Sequence, residues 1–151
     1  KSLRPDCCIG VDVIVGFPGE TDEEFMETID FLKGLDVSYF HVFTYSERAN
    51  TSAMKLGEAV PMNVRRERSK MLHILSDKKK RAFYESQVGT TRSVLLESDE
   101  ENGMMFGFTE NYIKVKLPFD EKLINTFQTV DLTEIDRDSV MKAIINVLAE
   151  A

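Results

Sequence analysis

The fold of this chain is decided by residues 12–25, which read DVIVGFPGETDEEF. A run of β-branched residues ends in a Gly/Pro/Gly turn and leads directly into a helix start, where Thr21 and Glu24 match a T-x-x-E capping box. Ile9–Gly16 is therefore predicted to be a strand buried on both faces, and the helix after it is predicted to end in a left-handed cap at Gly34. Ligands of parallel α/β sheets bind where strands end in such turns.

A second strand follows this helix. Ser38–Tyr45 is rich in aromatic and β-branched residues, which favour strands. Strand, helix and strand over residues 9–45 predict a right-handed βαβ unit with a parallel strand pair. Because two strands leave unpaired edges, we expect self-association through Ile9–Gly16 or Ser38–Tyr45.

Residues 62–88 are predicted to form one long helix, since Gly89 is the first glycine or proline after Pro61. Its apolar stripe is predicted to contain Val64, Met71, Leu75 and Ala82. The segment holds three acidic and eight basic side chains, and its other faces carry the basic ones: Arg65, Arg66, Arg68, Lys70, Lys78, Lys79, Lys80 and Arg81. This charge fits either a solvated helix face or an electrostatic cradle for RNA.

From Thr90 onward the apolar period is two, and turn-forming segments separate five strand candidates. They are Ser93–Glu97, Met104–Thr109, Tyr112–Leu117, Thr126–Thr133 and Ser139–Ile145. Five short antiparallel strands predict a small barrel of the OB type. The last segment also fits a short helix, with Val140, Ile144, Val147 and Leu148 on one face. The predicted class is α/β plus all-β, divided at residues 1–61, 62–88 and 89–151.

Composition limits the classes of function. The chain has 42% hydrophobic and 30% charged residues, no apolar run long enough for a membrane span and no signal-peptide pattern, so we expect a cytoplasmic protein. Its two cysteines, Cys7 and Cys8, are adjacent and would point to opposite faces of a strand. We therefore predict reduced, partly buried thiols and no metal site. The net charge of −7 permits RNA contact through local basic patches without predicting it.

Four segments in one order carry a family resemblance. They are VIVGFPGETDEEF at residues 13–25, HVFTYS at 41–46, the basic helix, and FTENYIKVK at 108–116. Together they resemble the C-terminal part of radical S-adenosylmethionine (SAM) tRNA methylthiotransferases, in which the last strands of a partial TIM-like barrel precede a TRAM domain. The second and fourth segments are most similar to the branch that acts on N6-threonylcarbamoyladenosine.

The resemblance implies a fragment of an enzyme that adds a methylthio group to N6-modified adenosine 37 of tRNA. The family uses SAM and [4Fe–4S] clusters, one of them on a Cys-x3-Cys-x2-Cys loop. Cys7 and Cys8 cannot supply the three thiolates of such a site. We therefore expect the chain alone to be inactive and to hold neither cofactor; SAM and the clusters would be bound in the full-length enzyme.

The resemblance also implies a SAM-binding face. It would include Ile14, Gly16 and Phe17, with Asp12 bonding a ribose or an amino group, and with Phe43 and Tyr45 as walls. The family pattern G-x-I-x-G-x-x-E is only partly kept, since Asp12 replaces its first glycine and Glu20 stands one position late. Two other roles stay open: Asp12 as an ion-paired strand-end carboxylate, and Phe43 as a core residue.

For the TRAM-like part, the resemblance implies RNA contacts with the tRNA anticodon stem-loop. The candidate residues are Thr109, Glu110, Asn111, Tyr112, Lys114 and Lys116. Tyr112 could stack on a base, Asn111 could read a base edge, and the two lysines could meet phosphates. Asn111 also suits a plain turn position between strands.

Two other classes of function remain open from the residues. The first is a non-catalytic RNA-binding module on an α/β scaffold, which predicts salt-dependent tRNA binding and no affinity for SAM. The second is an anion site at Gly16–Thr21, at the N-terminus of the first helix. That loop lacks the lysine and the glycine spacing of known phosphate-binding loops.

Overall fold

The computed structural model describes residues 1–48 and 50–146. The chain divides into two compact units: Ile9–Lys80 forms one, and Lys1–Cys8 together with the described residues from Arg81 onward forms the other. The helices and strands are β1 (Gly10–Val15), α1 (Asp22–Gly34), β2 (Tyr39–Thr44), α2 (Met62–Glu85), β3 (Thr91–Glu101), β4 (Met104–Thr109), β5 (Lys114–Pro118), β6 (Phe127–Ile135) and β7 (Met141–Ile145). Within the described ranges, no helix has the length and apolarity needed to cross a membrane.

The predicted strand–helix–strand order and the parallel strand pair are confirmed, since β1 and β2 pair in parallel from Gly10 opposite Tyr39 to Val15 opposite Thr44. The capping box also forms: the Thr21 hydroxyl accepts from the Glu24 amide at 3.2 Å, and the Glu24 carboxylate accepts from the Thr21 amide at 2.9 Å. The left-handed cap is wrong, because α1 ends at Gly34 without a positive φ and Leu35 is extended. The Lys79 ammonium satisfies terminal carbonyl oxygens instead, at 3.1 Å from Lys33 O and 2.7 Å from Leu35 O.

The two-stranded sheet is covered on one face only. Val13, Val15 and Phe40 are buried there against Phe25, Ile29 and Leu32 of α1 and Leu72 of α2. The opposite face is exposed at Asp12, Ile14, His41 and Phe43. The prediction that the first strand is buried on both faces is therefore wrong for this chain, because both helices pack on the same side.

The buried stripe of α2 also differs from the prediction. Arg65, Arg68, Leu72 and Ser76 are buried, whereas Met71 and Ala82 of the predicted stripe are exposed. Each polar member bonds to at least one backbone group; the Ser76 hydroxyl, for example, accepts from the Phe40 amide at 2.8 Å and donates to the Phe40 carbonyl at 3.1 Å. A periodicity search for apolar residues passes over such a stripe because three of its four members are charged or polar.

The second unit is a closed five-stranded barrel with strand order β3-β4-β5-β7-β6. Residues 141–145 are a strand, so the helical alternative fails there, while Val147 and Leu148 lie outside the described residues. The all-antiparallel prediction is wrong, because β5 and β7 pair in parallel through Val115 opposite Met141. In the sequence, β6 lies between β5 and β7, and it pairs antiparallel with both β3 and β7. The chain therefore reverses direction at β6 and again at β7, so β7 runs in the same direction as β5. Buried residues of five strands fill the barrel, with Phe83 and Tyr84 from the last turn of α2.

Candidate functional site

The exposed face of the two-stranded sheet brings together residues predicted for the cofactor. Ile14 lies opposite Phe43 and Asp12 opposite His41, so each pair shares the uncovered face. Ile14 is 60% exposed and Phe43 is 52% exposed, so neither is a core residue of this unit. The face is a flat apolar wall with one carboxylate and one imidazole beside it.

The carboxyl ends of the two strands carry the other predicted cofactor residues. Gly16 has a φ of +75°, which a glycine adopts without steric cost. The rings of Phe17 and Tyr45 meet edge to face with centroids 5.3 Å apart. The Tyr45 amide donates to the Val15 carbonyl at 2.9 Å, so the strand pairing continues to this edge.

Arg65 of α2 holds this edge of the sheet in place. Its guanidinium donates to the carbonyl oxygens of Val60 at 2.7 Å and Tyr45 at 2.9 Å, and it pairs with the Glu47 carboxylate. A side chain at position 16 would overlap the Arg65 methylenes, which fill that space. The hydrogen bond from Arg65 lowers the pKa of Glu47 to about 2, and the bond to Glu47 raises the pKa of Arg65.

Arg68 and Glu20 close the loop between β1 and α1. The Glu20 carboxylate accepts from the Gly16 amide at 2.8 Å and pairs with Arg68, which also pairs with Asp22 at 2.7 Å. Burial works against the charge of Arg68, yet the carboxylates of Asp22 and Glu20 raise its pKa. Sequence reasoning placed Arg65 and Arg68 among the exposed basic residues of the helix, either on a solvated face or in a cradle for RNA. Their spacing with Leu72 and Ser76 on one helix face was the available signal of burial.

Three backbone amides of this loop already donate to protein acceptors and are not available to an anion. The Gly16 amide donates to the Glu20 carboxylate, the Gly19 amide to the Glu58 carbonyl at 2.8 Å, and the Glu20 amide to the Phe17 carbonyl at 3.0 Å. The nearby acidic groups would also repel a phosphate. The anion-site hypothesis is therefore disfavoured.

The cysteines do not fit an iron–sulfur cluster. Cys7 and Cys8 are half-buried residues that precede β1. Across residues 1–48 and 50–146, no three His, Cys, Asp or Glu side chains are arranged to hold a metal ion. A cluster needs more thiolates than this chain contains.

In the barrel unit, the end of β4 and the loop that leads to β5 hold four of the residues predicted for RNA. Tyr112 is 70% exposed and has a φ of +63°. Thr109 and Asn111 are buried and hydrogen-bond to each other at 2.7 Å. Glu110 accepts from the Ser93 amide at 3.1 Å. In this conformation Tyr112 is the loop side chain most open to a ligand.

The two predicted lysines of β5 differ in their surroundings. The Lys114 ammonium lies 4.9 Å from the centroid of the Phe106 ring, a cation–π contact at the surface. Lys116 is ion-paired with Asp136, and both side chains are mostly buried. Lys116 is therefore neutralised inside the unit, which leaves Lys114 as the more available cation of the two.

Sequence reasoning missed an outer row of the barrel, defined here as Phe108, Leu95 and Phe127. In register, Leu95 of β3 lies opposite Phe108 of β4 on one side and Phe127 of β6 on the other. All three are exposed, and Phe127 is 73% exposed. Lys114 lies opposite Phe108 at the β5 end of the row. The available signal in the sequence was the run of three apolar residues at 94–96. In a strand with one face in solvent, at least one residue of such a run must be an exposed apolar side chain.

No family model matches the chain. Its sequence is 45% identical over 113 residues to threonylcarbamoyladenosine tRNA methylthiotransferase MtaB of Aquifex aeolicus (strain VF5), covering 75% of this chain and 26% of that protein. The identity is 40% over 137 residues to the protein of that name in Bacillus subtilis (strain 168), covering 87% and 30%. It is 35% over 136 residues to tRNA-2-methylthio-N(6)-dimethylallyladenosine synthase of Francisella tularensis subsp. novicida (strain U112), covering 89% and 31%. The chain thus spans about a quarter to a third of the length of these relatives.

Proposed function

This chain belongs to the tRNA methylthiotransferase family, and on that premise we propose that it is part of an enzyme that adds a methylthio group to an N6-modified adenosine 37 of tRNA. The observation that carries the proposal is sequence identity of 35–45% over most of the chain to proteins named for this reaction class. The higher identity to the two threonylcarbamoyladenosine enzymes supports that branch as the substrate class. The chain would act in the cytoplasm.

The exposed sheet face would form one wall of the SAM pocket. Ile14 and Phe43 offer an apolar surface suited to an adenine ring, and Asp12 on the same face offers a hydrogen-bond acceptor for a ribose or amino group. Gly16, Phe17 and Tyr45 border this wall at the carboxyl ends of the strands, where the remaining atoms of the ligand would lie. When bound, SAM supplies the reactive sulfonium, and these residues would hold and orient it.

Catalysis would depend on clusters held by residues outside this chain. Because Cys7 and Cys8 cannot complete a cluster, we expect the 151-residue chain by itself to be inactive. The two units are interpreted as part of a radical-SAM barrel and a TRAM domain. The two-stranded sheet with one bare face and the closed five-stranded barrel support that interpretation.

The barrel would bind the tRNA anticodon stem-loop. Tyr112 presents an aromatic ring to solvent, Lys114 adds a cation, and the outer row adds two exposed phenylalanines. Exposed aromatic side chains next to basic groups bind unpaired bases by stacking and phosphates by charge. Thr109, Glu110, Asn111 and Lys116 have partners within the unit, so we assign direct contact first to Tyr112 and Lys114.

The alternative is a non-catalytic RNA-binding module. It is favoured by one observation: the barrel is closed, whereas the sheet that would hold the cofactor has only two strands. Isothermal titration with SAM separates the two functions when it is done on the full-length enzyme that contains this chain, because no cofactor is expected to bind the chain alone. Binding that is lost in Ile14→Asp supports the cofactor wall, and RNA binding without SAM affinity supports the alternative.

RNA binding is tested by fluorescence anisotropy with a labelled anticodon stem-loop over a series of salt concentrations. Tyr112→Ala and Lys114→Ala should each weaken binding, and Lys114→Ala should also reduce the salt slope by about one. Lys122→Ala, an exposed lysine in the 3-10 turn Glu121–Leu123, is the matched control. If both test variants bind the stem-loop as tightly as the unaltered chain, the proposed RNA surface is wrong.

A further inference from the structure

We propose that Thr109 and Asn111 are positioning residues, which hold Tyr112 outward so that its ring can stack on a base. They would contribute to recognition through Tyr112 without touching the RNA themselves. The inference rests on the proposal that the barrel binds RNA, and it changes the role expected for two of the candidate contact residues.

The hydrogen bonds of Thr109 close the loop on both sides of Tyr112. Its hydroxyl accepts from the Ile113 amide at 2.8 Å and donates to the Asn111 side-chain oxygen at 2.7 Å. Its carbonyl accepts from the Tyr112 amide at 2.9 Å, and its amide donates to the Ile113 carbonyl at 3.0 Å. Tyr112 therefore protrudes from a loop in which both of its neighbours, Asn111 and Ile113, are hydrogen-bonded to the Thr109 hydroxyl.

Asn111 anchors the same loop to the body of the unit. Its amide nitrogen donates to the Asp6 carbonyl at 3.0 Å and to the Gln87 side-chain oxygen at 3.2 Å. The Gln87 oxygen also accepts from Arg92 at 2.6 Å. Since Asn111 is buried and its amide is already bonded, reading a base edge would require these bonds to break.

The conformation of Tyr112 is the feature that these bonds explain. A tyrosine with a φ of +63° is strained, and such residues persist only where the surroundings impose them. Ile113, the next residue, is fully buried, and the Lys114 amide donates to the Tyr84 hydroxyl at 2.9 Å. The backbone around the exposed ring is thus ordered before any ligand arrives, which reduces the entropy lost on binding.

A first experiment needs no RNA. A residue with positive φ shows a strong intraresidue amide-to-Hα nuclear Overhauser effect, because the two protons are close. In the 151-residue chain this signal at position 112 should persist in Thr109→Ser, which keeps the hydroxyl, and should weaken in Thr109→Val and Asn111→Ala. An unchanged signal in both of the latter variants would overturn the proposal. Failure of both to fold would overturn it too, because the two residues would then serve barrel stability as a whole.

A second experiment is a double-variant cycle in stem-loop binding. Thr109→Val should weaken binding about tenfold when Tyr112 is present, a loss of the size expected for one stacked base. In the Tyr112→Ala background the same change should weaken binding less than about twofold. Equal losses in both backgrounds would indicate a general structural role and overturn the inference. If the unaltered chain binds no stem-loop, the proposed function fails, while the nuclear Overhauser measurement still decides whether the two residues position Tyr112.

Discussion

The guanidinium of Arg65 donates a hydrogen bond to the main-chain carbonyl of Tyr45 at 2.9 Å, and its charge lies 5.8 Å from the centroid of the Tyr45 ring. One buried side chain of α2 thus fixes the backbone and the ring of a residue at the edge of the exposed sheet face, the proposed cofactor wall. The same arginine fills the space beside Gly16. A helix that sequence reasoning assigned to solvent or RNA therefore supports the strand ends.

The first prediction concerns Arg65. Arg65→Gln should lower the free energy of unfolding by about 2 kcal/mol, because acceptors at Val60, Tyr45 and Glu47 lose a charged donor. The exposed neighbour Arg66→Gln should change it by less than about 0.5 kcal/mol. Urea unfolding followed by circular dichroism measures both, and equal stabilities would contradict the supporting role.

The second prediction concerns pH. Arg65 lowers the pKa of Glu47 from 4.5 to about 2 in the folded chain, so the ionised form favours folding. This contribution is complete above the unfolded pKa and is lost as the pH falls toward the folded one. The stability difference between the unaltered chain and Glu47→Gln should therefore shrink between about pH 5 and pH 2.

Urea unfolding at a series of pH values measures that difference. Glu67→Gln removes an exposed carboxylate of α2 and is the control. A Glu47→Gln difference that is constant across this window would show that the pair does not shift the carboxyl group.

The third prediction concerns Lys116 and Asp136. Burial raises the pKa of Asp136, but the Lys116 ammonium and the backbone donors lower it by more. The net shift of the pKa is therefore downward, and the carboxylate is charged. Lys116→Met should therefore cost about 3 kcal/mol of barrel stability by leaving a buried charge without its partner. The double variant Lys116→Met, Asp136→Asn should recover part of this loss, as judged by thermal unfolding. No recovery would mean that Lys116 acts through packing alone.

The fourth prediction concerns the exposed sheet face. We expect the chain to self-associate through the incompletely paired strands Ile9–Gly16 or Ser38–Tyr45. The double variant Ile14→Asp, Phe43→Ser should therefore reduce association in sedimentation velocity runs. Because both side chains are more than half exposed, stability should change by less than about 0.5 kcal/mol for each. Val13→Ala, on the covered face of the same strand, should instead cost about 1–3 kcal/mol. A strictly monomeric unaltered chain at high concentration would exclude this interface.

The fifth prediction concerns the outer row. Phe127→Ala should weaken stem-loop binding by about 5- to 30-fold, since a stacked base contributes about 1–2 kcal/mol. Phe31→Ala removes a similarly exposed phenylalanine from α1 and should leave binding unchanged. Similar effects of the two variants would argue that the row takes no part in binding.

Local signals in the sequence determined most of the elements. The capping box at Thr21 and Glu24 and the glycine-rich turn before it defined β1 and α1, because their hydrogen bonds join residues close in sequence. Alternating apolar residues predicted all five barrel strands. The motif around Tyr112 drew attention to the loop that presents it, although the roles of its neighbours were not apparent.

Only the tertiary structure decided which polar residues are buried. Arg65, Arg68, Thr109 and Asn111 resemble surface residues in the sequence, yet each is buried with partners far along the chain or across a closed loop. The parallel β5–β7 pair and the single covered face of the first sheet are decided in the same way. A charged or polar side chain can be buried only where backbone carbonyls or opposite charges converge on it, and that convergence exists only after the chain has folded.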